Sequence, residues 1–262
     1  EGFIDVNTDR IKIERVRRIK VLTEAGIEEV GEQAIVFDPE YDKIKDFEAH
    51  TIMPDGKKLK VKDDAVFERV SGDYKEQVFS FPQVSAGCIV EFKYTNISKR
   101  FRRLSPWYFQ GRLYTLTSKI AVRLEYGFDY NASFRNVPRQ FQQPEKKNQV
   151  NINDPSNPMA ELVTYTWTLS NIPPIKSEPY MAAENDYRAT LRFQIVSWQN
   201  EYNFMSFVTT WEELGGELLN SLDEYMSKKD EVAKLTREIT AGLTSPKEQS
   251  RALYKYVASQ FE

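Results

Sequence analysis

The feature that most constrains this chain is a succession of short stretches, from about residue 10 to residue 197, in which apolar and polar side chains alternate. Such alternation is typical of half-buried β-strands, because successive side chains point to opposite faces of a sheet. The clearest examples are residues 88–94, 120–124, 163–169 and 191–197. Turn residues separate these stretches, so the sequence predicts a mainly β fold of many antiparallel strands, arranged as a β-sandwich or a related all-β layer.

The first strand is predicted to be irregular. Residues 10–22 alternate at Ile11 and Ile13, and the apolar pattern then restarts at Val16. A restart of this kind is typical of a β-bulge, which inserts one extra residue into a strand. We therefore expect one long bulged strand, a turn at residues 25–26 and a second strand near residues 30–37.

A hairpin is predicted over residues 47–61, where an alternating run leads into Pro54-Asp55-Gly56. Proline presets the backbone angle of a turn, aspartate bonds the local backbone, and glycine accepts the left-handed conformation. Leu59 and Val61 continue the strand pattern beyond the turn. The turn itself is expected to be solvated.

Residues 210–262 are instead predicted to be helical. Thr210 and Glu213 have the spacing of a reciprocal capping box, and Ser245-Pro246 with Glu248 marks another helix start. Because the apolar stripe of the last helix reaches Phe261, we expect this segment to begin a further domain, with residues 1–209 forming the β domain. The alternative is a helical cap on that β domain.

Composition excludes several classes of protein. Hydrophobic residues make up 40% and charged residues 29%, as in soluble globular proteins. The net charge of -3 argues against a dedicated nucleic-acid partner, and no stretch approaches the roughly 20 apolar residues of a membrane span. The single cysteine, Cys88, and the single histidine, His50, exclude an internal disulfide and a multi-cysteine zinc site. We predict no metal, no cofactor and no catalytic residue in this chain.

One basic and aromatic patch is a candidate binding site. Basic residues interleaved with aromatic ones can contact phosphates or anionic glycans and stack on flat groups. The alternative, which we favour, is a basic loop that leads into a strand whose aromatic side chains fill the core. The candidate binding residues are Arg100, Arg102, Arg103, Trp107 and Tyr108.

Four blocks resemble a known family. Residues 49–57, AHTIMPDGK, resemble the signature hairpin of a bacterial N-terminal domain of unknown function that commonly stands ahead of a transglutaminase-like domain. Similar blocks follow in the same order at residues 81–94, 107–110 and 167–179. The resemblance covers about residues 1–211, and the helix from Ser245 resembles the first helix of the transglutaminase-like domain.

The resemblance implies an immunoglobulin-like β-sandwich in an exported protein, periplasmic or at the cell surface. The adjoining domain of that family resembles cysteine transglutaminases and proteases with a Cys–His–Asp triad, whose cysteine would fall after Glu262. Cys88 does not match that nucleophile.

Two functions of different classes follow. The first is a non-catalytic accessory module that positions, covers or targets an adjoining transglutaminase-like domain in the same polypeptide. The second is a stand-alone β-sandwich that binds a glycan or peptide at the patch around Trp107. A weaker third hypothesis is that an edge strand of the sandwich pairs with a partner.

Overall fold

The computed structural model describes the chain except residues 8–9, 101–103, 151–160, 177, 201, 208–209, 226–228 and 261–262, and except the side chains of residues 150, 161, 223–225 and 229. It divides into two compact units, Glu1–Phe207 and Val208–Glu262. The first unit contains all the described strands and the second contains three helices. The predicted mainly β fold with a C-terminal helical segment is therefore confirmed.

The described part of the first unit contains three sheets, one short α-helix, α1 (Ala25–Gly31), and three single-turn 3₁₀ helices. Their strands, in chain order, are β1 (Gly2–Val6), β2 (Ile11–Lys20), β3 (Glu32–Phe37), β4 (Asp42–Ile52), β5 (Lys58–Lys60), β6 (Val66–Ser71), β7 (Tyr74–Ser80), β8 (Ile89–Ser98), β9 (Trp107–Tyr108), β10 (Thr115–Leu124), β11 (Phe128–Arg135), β12 (Glu145–Val150), β13 (Glu161–Ile172), β14 (Thr190–Gln199) and β15 (Phe204–Ser206).

The largest sheet has eight strands in the order β12-β13-β10-β1-β2-β8-β4-β5. Its neighbouring strands run antiparallel except for β1 and β10, which are parallel, with Gly2 opposite Ile120. A four-stranded sheet contains β11, β14, β15 and β9, and a three-stranded sheet has the order β3-β7-β6.

Two separate cores lie against the same face of the eight-stranded sheet. In the first core, Ile4 of β1, Ile13 of β2 and Ile120 of β10 pack with Leu191 of the four-stranded sheet. The second core brings Val90 and Phe92 of β8 and Ala49 of β4 against Ile35 and Phe79 of the three-stranded sheet. Residues opposite one another on paired strands share a face, and the register from β10 through β2 to β8 keeps these side chains on one face. The arrangement is sandwich-like, with one sheet shared by two cores.

The predicted hairpin is present between β4 and β5. The amide of Gly56 donates to the carbonyl of Met53 at 2.9 Å, and the amide of Lys57 donates to Oδ1 of Asp55 at 2.9 Å. Gly56 has a φ of 87°, the left-handed conformation for which glycine was expected. Ala49 and Thr51 are buried, as the alternation predicted.

Two local predictions are wrong. Residues 25–31 form α1 rather than a simple turn, because Ile27 and Val30, three residues apart, both pack into the second core. The bulge expected within residues 10–22 is also absent. These residues contain β2, which pairs with β8 without a register shift from Ile11 opposite Ser98 to Lys20 opposite Ile89. The apolar pattern restarts because polar side chains occupy inward positions in the middle of β2.

The second unit contains α2 (Trp211–Tyr225), α3 (Lys229–Ile239) and α4 (Pro246–Gln260). The predicted capping box is present at the start of α2. Oγ1 of Thr210 accepts from the amide of Glu213, and Oε2 of Glu213 accepts from the amide of Thr210, both at 3.2 Å. Helix α4 begins at Pro246, as expected. Within the described ranges, no helix has the length and apolar character needed to cross a membrane.

Candidate functional site

The single cysteine and the single histidine lie on opposite faces of the eight-stranded sheet. Cys88 is completely buried in the second core, on the same face as Val90. His50 stands opposite Glu91 on the other face, with 3.2 Å between its Nε2 and Oε1 of Glu91. A thiolate is activated by an imidazole only when the two are within hydrogen-bonding reach. The pair therefore cannot form a cysteine–histidine catalytic site.

The described residues also contain no group of three or more His, Cys, Asp or Glu side chains placed to hold a metal ion.

The structure places Trp107 of the predicted patch inside the first core. Its side chain is 9% exposed, and its Nε1–H donates to Oγ of Ser118 at 3.1 Å. A Cβ atom added at Gly2 would lie 2.5 Å from the Trp107 ring, so β1 approaches the indole as closely as only glycine permits. This indole is part of the packing of the first core, and its 9% exposure leaves too little surface for a stacked ligand.

Of the other predicted patch residues, the two that the structure describes, Arg100 and Tyr108, have different neighbours. Arg100 forms an ion pair with Asp38 and lies over the ring of Tyr41, 3.7 Å from its centroid. Tyr108 is 37% exposed, and the guanidinium of Arg188 lies 5.4 Å from the centroid of its ring. Arg102 and Arg103 lie outside the described residues. Ligand binding by this patch stays a prediction, and Tyr108 is the aromatic side chain that could contact a ligand.

A different feature stands out at the junction of the two cores. A cleft of about 130 Å³ opens over the middle of the eight-stranded sheet. Ile13 of the first core and Ile44, which packs against the second core, both line it. The polar lining residues are Arg15, Asp42, Tyr94, Asn96 and Ser105, and Val36 completes the wall. We call this the central cleft.

The sheet register places the polar groups of the central cleft side by side. Arg15 of β2 lies opposite Tyr94 of β8, and Asn96 of β8 lies between Ile13 and Ile44 on its two neighbouring strands. Arg17, the next residue of β2 on this face, also interacts electrostatically with Tyr94. Two cationic side chains and one phenol therefore stand on the face that elsewhere carries the core.

Arg15 is held by a ring rather than by a carboxylate. Its guanidinium lies 5.2 Å from the centroid of the Trp107 ring, within the range of a cation–π interaction. Within the described part of the chain, neither Arg15 nor Arg17 forms an ion pair. Burial lowers the pKa of Arg17, and the carboxylate of Glu29 opposes this shift. Arginine side chains stay charged in proteins, so both guanidinium groups are cationic.

Tyr94 presents a hydroxyl group that stays protonated. Burial raises the pKa of Tyr94, and the nearby charges of Arg15 and Arg17 only partly counteract this effect. Its O–H can therefore donate to an anion at neutral pH.

The amide of Asn96 supplies an acceptor that nothing in the described structure uses. Its Oδ1 is buried and has no hydrogen-bond partner among the described residues. A buried acceptor without a partner costs about 1–3 kcal/mol, so it commonly marks a position that a water molecule or ligand fills. On the far wall, Oδ2 of Asp42 accepts from the amide of Asp38 at 3.3 Å. The central cleft thus combines a free cation, hydroxyl donors, a free acceptor and one carboxylate.

Arg15 and Arg17 were not among the candidate residues predicted from the sequence. Their signal was present, since Ile11, Ile13, Arg15, Arg17 and Ile19 keep one period-two pattern along β2. Two arginines at inward positions of a core strand indicate a polar cleft, whereas the restart of the apolar pattern at Val16 favours a bulge. The strand that faces them, β8, could not be identified from β2 alone.

Comparisons with known proteins give a family and a fold. A model of the family DUF3857, a domain of unknown function, matches residues 8–176. No curated protein matches the sequence. A crystal structure from Parabacteroides distasonis ATCC 8503, described as that of a "putative protease", aligns with a TM-score of 0.67 at 16% sequence identity. The alignment covers 100% of this chain and 49% of that one, so this chain spans about half of its neighbour's length. At this identity the likeness shows the fold alone.

Proposed function

This chain belongs to the DUF3857 family, and we propose that it is a non-catalytic accessory module that positions, covers or targets an adjoining transglutaminase-like, cysteine-protease-like domain in the same polypeptide. The observation that carries the proposal is the alignment of the whole chain with 49% of a longer protein described as a "putative protease". Because that protein is about twice as long as the aligned part, a module of this fold in such a protein adjoins a further domain.

The chemistry of this chain supports a non-catalytic role. Its single cysteine is buried in a core, and its single histidine stands on the opposite face of the sheet. A cysteine-dependent reaction would need a thiol and an imidazole in contact. Under this proposal both come from the adjoining domain.

The helices of the second unit support an adjoining domain. Leu218 of α2, Val232 of α3 and Val257 of α4 are each more than half exposed, and α4 contains no buried residue. Apolar helix faces normally pack against another layer of a domain, because burial removes their apolar area from water. We propose that these faces pack against the rest of a transglutaminase-like domain.

The family resemblance further supports export to the periplasm or cell surface, which we include in the proposal.

The second candidate function is a stand-alone β-sandwich that binds a glycan or peptide. The exposed ring of Tyr108, with Arg188 beside it, is the observation that favours this candidate.

Labelling with a thiol-reactive alkylating probe tests the accessory role. We expect the native full-length protein to be labelled rapidly at a cysteine other than Cys88. The present chain, whose single thiol is buried, should be labelled only after denaturation. Rapid labelling at Cys88, or a native protein with no further reactive cysteine, would contradict the proposal.

A further inference from the structure

The central cleft has the chemistry of a site for the end of a peptide. We propose that it binds a C-terminal peptide carboxylate, with the guanidinium of Arg15 donating to the carboxylate and Oδ1 of Asn96 accepting from the N–H of the terminal residue. This inference goes beyond the accessory role and does not depend on it.

The first step of the argument is the unpaired cation. Arg15 is half-buried and contacts the Trp107 ring, and no carboxylate among the described residues pairs with it. Arginine presents a planar fork of donors that matches a carboxylate, and such charge-assisted hydrogen bonds are stronger than neutral ones. The protonated hydroxyl of Tyr94, opposite Arg15 on β8, adds another donor beside it.

The second step is the charge that the cleft selects. Asp42 lines the same cleft as Arg15. Its carboxylate repels any anion in the cleft, and it repels a group with two negative charges more strongly than a group with one. This repulsion offsets part of the attraction to Arg15, so we expect a carboxylate to bind better than a phosphate group carrying two charges.

The third step is the free acceptor. Oδ1 of Asn96 is buried without a partner in the described part of the chain, so a ligand that fills the cleft gains by donating a hydrogen bond to it. A carboxylate alone has no donor, whereas the last residue of a peptide carries a carboxylate and an amide N–H on adjacent atoms. Capture of this terminal group by convergent donors is a recurring mode of peptide recognition.

The shape of the cleft agrees with this ligand. Its volume of about 130 Å³ holds a terminal carboxylate and a small side chain rather than a whole peptide. Ser105 is exposed and Val36 is 60% exposed, so the mouth of the cleft is open to solvent. The remainder of a peptide can leave through this opening.

Calorimetric titration of the whole chain with N-acetyl-dialanine tests the proposal. We expect binding in the micromolar to millimolar range, at least tenfold weaker binding of the C-terminally amidated form, and weaker binding of an analogue with an ester in place of the terminal N–H. Inorganic phosphate should bind more weakly than the free-acid peptide. Equal binding of the acid and the amide, tighter binding of phosphate, or no binding at millimolar peptide would overturn the proposal.

Variants of one strand provide a matched comparison. Arg15→Gln should weaken binding of the peptide acid at least tenfold. Arg18→Gln should leave it unchanged, because Arg18 stands on the opposite face of β2 and pairs with Glu91. Arg15→Lys keeps the charge beside Trp107 and should bind with intermediate affinity, which separates loss of the site from loss of the fold. Unchanged binding by a folded Arg15→Gln variant would refute the assignment.

Discussion

At the scale of single residues, Trp107 links the core to the central cleft. One edge of its indole donates to Ser118, and its ring lies within reach of the Arg15 guanidinium. Because Gly2 has no side chain, the indole ring can pack directly against the backbone of β1. Trp107 therefore fills the core, in line with the interpretation favoured from the sequence, and its ring lies beside a cation.

Truncating the two neighbouring aromatic residues should have very different effects on stability. We expect Trp107→Ala to lower the free energy of unfolding by about 3–5 kcal/mol, because it leaves a cavity in the first core. Tyr108→Ala removes a ring that is 37% exposed and should cost about 1 kcal/mol or less. Urea denaturation, followed by a spectroscopic signal from the first unit, measures both changes in the free energy of unfolding. Equal losses would contradict the buried position of Trp107.

Cys88 should behave as a packing residue. Because its thiol is completely buried among apolar side chains, we expect Cys88→Ser to lower the free energy of unfolding by about 1–3 kcal/mol through burial of a hydroxyl. The Cys88→Ala variant, which buries no polar group, is the matched control and should be no less stable than the serine variant. A serine variant as stable as the wild type would argue against a buried thiol.

At the scale of elements, the features predictable from the sequence are those encoded within a few residues. The hairpin at Gly56 and the capping box of Thr210 and Glu213 depend on local dihedral preferences and local hydrogen bonds, and both are present. The parallel pairing of β1 with β10 is not encoded locally, because it joins strands far apart in the chain. Alternation shows which side chains share a face but not which strand lies beside it.

The same limit explains the missed cleft. The inward positions of Arg15 and Arg17 are readable from the period of β2, but their meaning depends on where the two covering sheets end. No pattern within β2 indicates that neither core covers the middle of this strand. The sequence likewise gives no sign that Asn96 lines a cleft, because this depends on its position between Ile13 and Ile44 on the neighbouring strands.

The cap of α2 offers a direct test at this scale. Thr210→Ala removes the acceptor of the Glu213 amide and should lower helix stability by about 1 kcal/mol, seen as a loss of helical circular dichroism on mild heating. Thr210→Asn retains a capping oxygen and should behave like the wild type. If the asparagine and alanine variants lose the same signal, the side-chain cap does not stabilise the helix.

The ion-paired carboxylate of Glu184, in the loop between β13 and β14, should make stability depend on pH. Hydrogen bonds from Arg188 and then Arg112 lower the pKa of Glu184. A carboxyl group whose pKa is lower in the folded state stabilises the fold above its unfolded pKa, and this contribution is lost as the pH falls through the folded pKa.

We therefore expect the Glu184→Gln variant to melt at a lower temperature than the wild type at neutral pH. Below about pH 4, the difference between the two melting temperatures should become smaller. Melting curves at several pH values measure the effect. Glu145→Gln, which makes the same charge change at an exposed position of β12, should melt like the wild type at each pH. A difference between Glu184→Gln and the wild type that grows on acidification would contradict the sign of this linkage.

At the scale of the whole molecule, one wide sheet supports two cores and leaves a polar cleft where they meet. The first core packs under the four-stranded sheet and the second under the three-stranded sheet. Cleft residues come from both sides of this junction, so a ligand there would contact both cores. Taken together, the two proposals imply that the module holds a peptide in this cleft while the proposed adjoining domain acts on that peptide.

The reading frame and intact mass of the native protein test the accessory role most directly. We predict a polypeptide that is longer than these 262 residues and that carries a cysteine, a histidine and an aspartate, in that order, after Glu262. That result would move the search for catalytic residues to the adjoining domain. A native protein with no cysteine or histidine beyond Cys88 and His50 would contradict the account, and the exposed ring of Tyr108 and the central cleft would then be the sites to study.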